Sequence, residues 1–251
     1  MITHEEMVAA AEAPEVAGLD YSALGEDDVV NLIAQRSETI FDADNPGWVM
    51  KRWSAGDEGP IRDEVARRGD MIVRRAAGII RAEYLELKPV LDELAPGSIA
   101  DIGCGYALFD LFFAQDFPGQ VVLIDLEESD ARHFGYKETG AAYSSLAKAK
   151  ALLVANGVSA KNVRVVNPDR DDLPKRKVNL AVSFLSCGFH YPVDTYADYF
   201  RDGVTAKGAV ILDVRRRRVP VARGVLEPLG AVDEITESAN GSAARLMLRK
   251  G

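Results

Sequence analysis

A glycine-rich turn with two nearby acids is the segment of this sequence whose residue types and spacing best suit ligand chemistry. Asp101, Gly103 and Gly105 directly follow a short apolar run that begins at Ser98. Glycines at the end of a strand let the backbone turn sharply and approach a ligand closely. Asp125 closes the next apolar run, 22 residues (125 − 103) after Gly103. An acid near that spacing accepts hydrogen bonds from ribose hydroxyls, so the pattern predicts a nucleoside-containing ligand.

Two details of this turn distinguish between kinds of nucleoside ligand. The carboxylate of Asp101 at the strand end would repel a pyrophosphate but attract the ammonium group of an amino acid. Ala107 and Leu108 stand where a dinucleotide-binding turn carries its third glycine. The turn therefore favours a ligand with an amino-acid tail over a nicotinamide dinucleotide. The alternatives are that Asp101 caps the following helix and that Asp125 is an ordinary acid at a strand end.

His190 is the candidate general base for a reaction at a substrate hydroxyl, because a hydroxyl keeps its proton at neutral pH and reacts faster when a base removes it. The residue follows the fourth predicted strand, whereas His4 lies near the N-terminus and His133 in the segment after the second. A hydrogen bond within its own loop is the competing interpretation of His190. Tyr191 and Ser186 in the same loop are predicted substrate contacts.

The predicted secondary structure, which must position these residues, changes near residue 96 from helices alone to alternating strands and helices. Beyond it, we predict strands at 98–103, 120–125, 162–167, 178–184 and 209–214, separated by helices at 108–116, 142–156 and 193–202. Such alternation is typical of a parallel sheet covered by helices on both faces. Apolar segments on either side of Asn240-Gly241 predict a C-terminal antiparallel hairpin.

Residues 1–96 are predicted to form a helical cap over residues 97–251, the ligand-binding domain. Apolar residues at three- and four-residue steps predict helices at 27–38, from residue 60 onward, and at 83–94 with a break or kink at Pro89. The segment 41–59, which holds Trp53, contains turn signals. If the cap covers the strand ends, Trp53 and Arg62 contact the substrate; the alternative is an amphipathic helix packed on the core with solvated arginines.

Composition restricts the class of partner and the location. The 251 residues are 47% hydrophobic and 27% charged, which fits one α/β domain with an added helical cap. The formal net charge of −9 disfavours a nucleic-acid partner, since phosphate contacts need clustered Lys and Arg. No apolar run reaches the ~20 residues that span a bilayer. The N-terminus lacks a secretory pattern, and Cys104 and Cys187 form no C-x-x-C pair, which predicts a reduced, cytoplasmic location.

The run of four arginines at 215–218 contrasts with the overall negative charge. A solvated strand end and loop would account for it. The other interpretation is a local site for an anionic acceptor, such as a phosphorylated sugar or a nucleotide. The sequence leaves both open.

In its glycine turn and acids, the chain resembles the class I S-adenosylmethionine-dependent methyltransferases over about residues 98–251. Their first motif, acid-x-Gly-x-Gly, is matched by Asp101, Gly103 and Gly105, and their second, an acid closing strand 2, by Asp125. The resemblance implies a Rossmann-like α/β fold with a mostly parallel seven-stranded sheet, and S-adenosylmethionine as cofactor. The cofactor-binding residues it implies are Asp101, Gly103, Cys104, Gly105, Asp125, Leu126, Asp169, Arg170 and Ser183.

Two further motifs of that family match in part. The third commonly reads Gly-Asp-Ala after strand 3, and here it is Pro168-Asp169-Arg170, with Asp169 at the adenine-contacting position. The fourth is an apolar strand usually preceded by Asp. Here Asn179 takes the place of that acid, and the strand continues to Ser183.

The resemblance implies methyl transfer to a small polar acceptor, which we predict to be a hydroxyl of a sugar-like or other metabolite. The histidine-containing loop and the helical cap are faintly similar to bacterial sugar O-methyltransferases. An RNA- or protein-directed methyltransferase and a non-catalytic partner subunit of the same fold remain alternatives. The sequence has neither an Asn-Pro-Pro-Tyr-type motif for base amines nor a separate basic domain, which disfavours the RNA-directed alternative.

Overall fold

A seven-stranded sheet forms the centre of the computed structural model, which describes residues 3–127, 144–239 and 241–251. The strands are β1 (Ser98–Ile102), β2 (Gln120–Ile124), β3 (Val163–Val166), β4 (Val178–Ser183), β5 (Val204–Arg215), β6 (Gly230–Ser238) and β7 (Ala243–Lys250). Their order is β3-β2-β1-β4-β5-β7-β6. Strands β1 to β5 are parallel, and β7 is antiparallel to both of its neighbours. The predicted fold class is confirmed, and β5 is longer at both ends than expected.

Burial along the strands explains this arrangement. The central strands β1, β2 and β4 are apolar and buried over nearly their whole length, as expected where helices cover both faces of a sheet. The edge strand β6 is largely exposed and carries Asp233, Glu234 and Glu237. Charged side chains on an edge strand oppose pairing with a further chain.

Ten α-helices are described around the sheet. They are α1 (His4–Glu12), α2 (Pro14–Ala17), α3 (Glu26–Gln35), α4 (Pro46–Ser54), α5 (Gly59–Arg68), α6 (Asp70–Leu94), α7 (Leu108–Asp116), α8 (Leu146–Ala155), α9 (Ala197–Asp202) and α10 (Val219–Leu226). Short 3-10 turns lie at Ser37–Ile40, Ala160–Asn162, Val193–Tyr196, Arg216–Arg218 and Glu227–Leu229. Within the described ranges, no helix is both long enough and apolar enough to cross a bilayer.

The N-terminal helices differ from the sequence prediction in two places. The helical pattern from residue 60 onward is divided into α5 and α6 at Gly69, whose φ of +32° lies in the region that favours glycine. Pro89 does not break a helix, because α6 continues through it to its end. A proline removes the hydrogen bond to the carbonyl four residues earlier, at Leu85. Leu85 is 45% exposed, so water can satisfy that carbonyl.

The N-terminal helices share one hydrophobic core with the sheet. Tyr84 of α6 packs edge-on against Phe109 of α7, with ring centroids 5.5 Å apart. Its hydroxyl donates a hydrogen bond of 2.5 Å to Asp116 at the end of α7. Buried residues of α3 to α7, β1 and β2 form a single cluster. The core is therefore continuous across residue 96.

Candidate functional site

A cavity of about 430 Å³ opens where β1, β2 and β4 end. Glycine-turn residues, the acid after β2 and the loop after β4 all line it. From the residues predicted by sequence, the cavity brings together Asp101, Gly103, Cys104, Gly105, Asp125, Ser186 and His190. The carboxyl ends of parallel strands are the usual place for a ligand in an open α/β sheet.

The glycine turn is fixed by backbone conformation and by close neighbours. Gly103 and Gly105 have φ values of +77° and +56°, in the left-handed region where a side chain is strained. A Cβ at Gly103 would lie 2.0 Å from the hydroxyl oxygen of Ser186. The loop after β4 therefore packs directly on the turn, and only glycine fits at position 103.

The side chain of Asp101 is buried, and its carboxyl group lies beside that of Asp110. Among the described residues, no N–H or hydroxyl donor reaches its Oδ1 atom or the two carboxyl oxygens of Asp110 in the first turn of α7, so the hydrogen bond between the two side chains needs a proton on one of the carboxyl groups. Burial raises the pKa of Asp101 well above its usual range, and the nearby Asp110 raises it further. Burial also raises the pKa of Asp110, to about 7. Asp101 does not cap α7, which begins after Ala107 without a side-chain hydrogen bond at its cap.

Asp125 links the glycine turn to the end of β2. Its Oδ2 atom accepts a hydrogen bond of 2.8 Å from the amide of Gly105. Burial raises the pKa of Asp125, and the Gly105 amide opposes that rise by stabilising the carboxylate. The Ser144 side chain and the amides of Leu126 and Glu127 also stabilise the carboxylate, so Asp125 is held in a fixed orientation at the cavity.

The residues predicted for the adenine end do not line the cavity. Asp169 and Arg170 are exposed, and Arg170 forms an ion pair with Glu127. The Leu126 carbonyl accepts a hydrogen bond of 3.1 Å from Asn167. Their predicted contacts with a cofactor gain no support from this arrangement. The segment 128–143, which includes His133, lies outside the described residues, as does Asn240 of the predicted hairpin turn.

Ser183 holds the start of the loop after β4. Its hydroxyl donates a hydrogen bond of 2.6 Å to the Ile102 carbonyl and accepts one of 2.9 Å from the Cys187 amide. Ser183 is fully buried and does not line the cavity. It therefore ties the loop to β1, which differs from the cofactor contact that the sequence predicted.

His190 faces the cavity from the same loop. Its ring lies edge-on to Phe189, with centroids 5.0 Å apart, and its amide donates to the Ser186 carbonyl at 2.8 Å. The hydroxyl of Ser186 donates to that of Tyr191 at 3.2 Å. Tyr191 does not line the cavity, and burial raises its pKa well above the usual range. Of the two predicted substrate contacts, Ser186 lies at the cavity and Tyr191 supports it.

Trp53 and Arg62 lie away from the cavity. Trp53 of α4 is buried in the hydrophobic core. Arg62 of α5 is exposed and forms ion pairs with Asp27 and Glu58. The structure therefore matches the alternative stated above for these residues, in which the N-terminal helices pack on the core and the arginine is solvated.

Several polar residues that the sequence did not single out line the cavity: Gln35, Arg36, Glu83 and Arg245. Arg36 binds Glu83 through two hydrogen bonds of 2.8 and 2.6 Å. Arg245 binds the buried Asp213 through two of 2.8 and 3.0 Å. These partners are 47 and 32 residues apart, so no local spacing marks them as pairs.

Comparison with known proteins gives matches in structure alone. No protein-family model and no curated protein matches the sequence. A proposed O-methyltransferase from Nostoc punctiforme is 13% identical with a TM-score of 0.50, over 72% of this chain and 59% of its own. The methyltransferase domain of bacterial CtHen1 is 14% identical with a TM-score of 0.48, over 67% and 97%. The O-methyltransferase TomG from Streptomyces achromogenes, solved with S-adenosylmethionine, is 13% identical with a TM-score of 0.45, over 68% and 80%.

The match to the Nostoc punctiforme protein concerns the fold. This chain spans 59% of the length of that structure, at 13% identity. The strand order and the antiparallel β7 agree with the sheet expected for the resemblance. The chain therefore has the fold of the class I S-adenosylmethionine-dependent methyltransferases.

Proposed function

Because the chain has this fold, we propose that it transfers a methyl group from S-adenosylmethionine to a hydroxyl oxygen of a small acceptor. The observation that carries the proposal is the convergence of Asp101, Gly105 and Asp125 on one cavity. The Oδ1 atom of Asp101, which no N–H or hydroxyl donor of the described residues reaches, suits the ammonium group of an amino-acid moiety. Asp125 lines the same cavity, and in this proposal it accepts hydrogen bonds from the ribose hydroxyls.

The cavity residues then have to orient the acceptor, remove its proton and exclude water. S-adenosylmethionine, when bound, supplies an electrophilic methyl carbon on a sulfonium sulfur. Methyl transfer is an in-line displacement, so orientation accounts for much of the rate. Phe184 and Phe189 line the cavity, and their apolar rings exclude water from the acceptor side. His190 accepts the hydroxyl proton at a ring nitrogen, which leaves the oxygen a stronger nucleophile.

The volume of the cavity suits a small acceptor, and the N-terminal residues and the cysteines agree with the cap and the location that we propose. Ligand pockets enclose about 300–1,000 Å³, and this cavity of about 430 Å³ must hold both reactants. Residues 34–37, from the end of α3 onward, line it, so this part of the N-terminal region acts as the cap. Cys104 and Cys187 are free thiols, which fits a cytoplasmic location.

Binding of S-adenosylhomocysteine tests the proposal. We expect this compound, the product that S-adenosylmethionine becomes when it loses its methyl group, to stabilise the folded protein by about 2.7 kcal/mol at 100 times its Kd. For a chain of this size, that corresponds to a rise in Tm of roughly 5–10 °C. The measurement is a thermal unfolding series, with NAD⁺ at the same concentrations as control. Folded protein whose Tm stays constant up to millimolar S-adenosylhomocysteine would contradict the proposal.

Replacing His190 by alanine tests the general base. We expect the rate of methyl transfer to fall by about 10²–10⁴-fold, with the affinity for S-adenosylhomocysteine within about twofold of the parent. The assay follows tritiated methyl groups into the low-molecular-weight fraction of a cell extract. His4→Ala is the matched control, because His4 stacks on Phe41 and does not line the cavity. An undiminished rate in His190→Ala would leave His190 as a loop histidine only.

A further inference from the structure

Among the described residues, three arginine side chains line the cavity, and they differ in whether a carboxylate is paired with them. The guanidinium of Arg36 is paired with Glu83, and that of Arg245 with Asp213. Within residues 3–127, 144–239 and 241–251, no carboxylate forms such a pair with Arg215, whose hydrogen bond goes to a backbone carbonyl. Arg215 therefore brings a positive charge to the cavity that the described residues do not balance.

The contacts of Arg215 fix its orientation without using most of its donors. Its Nε–H group donates a hydrogen bond of 2.6 Å to the carbonyl of Phe189. The guanidinium carbon lies 4.3 Å from the centroid of the Phe189 ring, a cation–π contact. A guanidinium has five N–H donors in a planar fork that matches carboxylate and phosphate groups. The Nη donors of Arg215 are thus available to a ligand.

The electrostatic surroundings favour an anion next to Arg215. Burial lowers the pKa of Arg215, and the positive charge of Arg217 lowers it further. The cationic form is therefore less stable here than in water, and a bound anion would offset that cost. Arg216 is different, because it pairs with Glu234 and Glu237 on β6. Of the four arginines at 215–218, Arg215 is the one that lines the cavity formed by the described residues.

We propose that Arg215 binds a carboxylate or phosphate group of the methyl acceptor, which makes the substrate class a small anionic hydroxyl compound. The inference rests on the proposed function for the identity of the ligand as an acceptor. Arg215 is bonded to Phe189, the residue before His190. An anion held by its fork would therefore sit close to the loop of the proposed base and limit which hydroxyl reaches it.

The test titrates inorganic phosphate and, separately, acetate at constant ionic strength, with and without saturating S-adenosylhomocysteine. We expect Tm to rise with anion concentration until the site is saturated. The anion that gives the larger rise is the one that the site favours. Arg215→Met should weaken anion binding at least 10-fold, and Arg215→Lys, which keeps the charge but loses the fork, should weaken it less. Arg217→Met is the matched control, because it removes the same charge from a residue outside the cavity lining and should stay within twofold.

Two results would overturn this inference. One is the absence of a saturable shift with either anion in the parent protein. The other is an equal loss in Arg215→Met and Arg217→Met, which would indicate a general effect of charge. Affinity for S-adenosylhomocysteine is measured on the same variants and should be unchanged. If that ligand fails to bind while phosphate binds through Arg215, the proposed function fails and the anion site stands.

Discussion

Replacing Asp101 by asparagine is expected to weaken S-adenosylhomocysteine binding by at least about 30-fold and to raise the Tm of the ligand-free protein. Removing one partner of a buried charged pair costs about 2–5 kcal/mol in binding. In the ligand-free protein the same carboxyl group is destabilising, because it is buried beside the carboxyl group of Asp110. An amide needs neither a retained proton nor a buried charge. Calorimetric titration and thermal unfolding measure the two effects.

Asp110→Asn is the control, and it also tests the pH dependence of stability. Burial raises the pKa of Asp110 from 3.8 to about 7, so between these values the folded state holds a proton that the unfolded state releases. The stability that this group contributes is complete below about pH 4 and is lost as pH rises through about 7. Asp110→Asn should therefore stabilise the protein more at pH 8 than at pH 4, as measured by urea unfolding.

The two variants together separate ligand recognition from general damage. Asp110→Asn should keep its affinity for S-adenosylhomocysteine within about threefold at pH 8, since only Asp101 lines the cavity. Equal losses of affinity in both variants would contradict the assignment of the ammonium group to Asp101. A fall in Tm for Asp101→Asn would show that its carboxyl group stabilises the fold and is not held there for a ligand.

Ligand binding at Asp101 should also release protons. The raised pKa of Asp101 favours its protonated form in the ligand-free protein, whereas an ammonium partner favours the carboxylate. Binding therefore becomes tighter as pH rises through the pKa of Asp101 in the parent protein. Repeating the titration in buffers of different ionisation enthalpy counts the protons released.

The features that could be predicted from the sequence are those set by neighbours in the chain. Strand β1, the glycine turn and Asp125 are each defined by short apolar runs and turn residues. Asp110 was missed because an acid in the first turn of a helix is ordinary, being favoured by the helix dipole. Its burial depends on packing between α7 and the sheet, which no local pattern describes.

The segment before Trp53 contains a helix-start signal as well as the predicted turn signals. Asn45-Pro46-Gly47 forms the start of α4, with Asn45 accepting a hydrogen bond from the Trp48 amide. Asparagine at the cap followed by proline is a helix-start signal. Val49 and Trp53 are four residues apart and both buried, as expected for the inner face of a helix.

Replacing Asp213 by asparagine is expected to lower the stability of the fold by about 3–5 kcal/mol, since the variant leaves a buried charge unpaired. Asp213 of β5 and Arg245 of β7 are register partners on adjacent strands, and both side chains are buried. For a chain of this size, Tm should fall by roughly 6–20 °C. Asp202→Asn is the matched control, because its ion pair with Arg201 is exposed and should contribute at most about 1 kcal/mol.

The double variant Asp213→Leu with Arg245→Met distinguishes an unpaired charge from a lost contact. A buried ion pair can be replaced by apolar residues with little change in stability, so we expect a Tm within a few degrees of the parent. Arg245 lines the cavity, and its guanidinium carbon lies 4.7 Å from the centroid of the Phe184 ring. A stable double variant that has lost methyl transfer would show that the pair serves the shape of the acceptor wall. If the double variant is as unstable as Asp213→Asn, then the unpaired guanidinium of Arg245 is not the cause of the lower stability of Asp213→Asn.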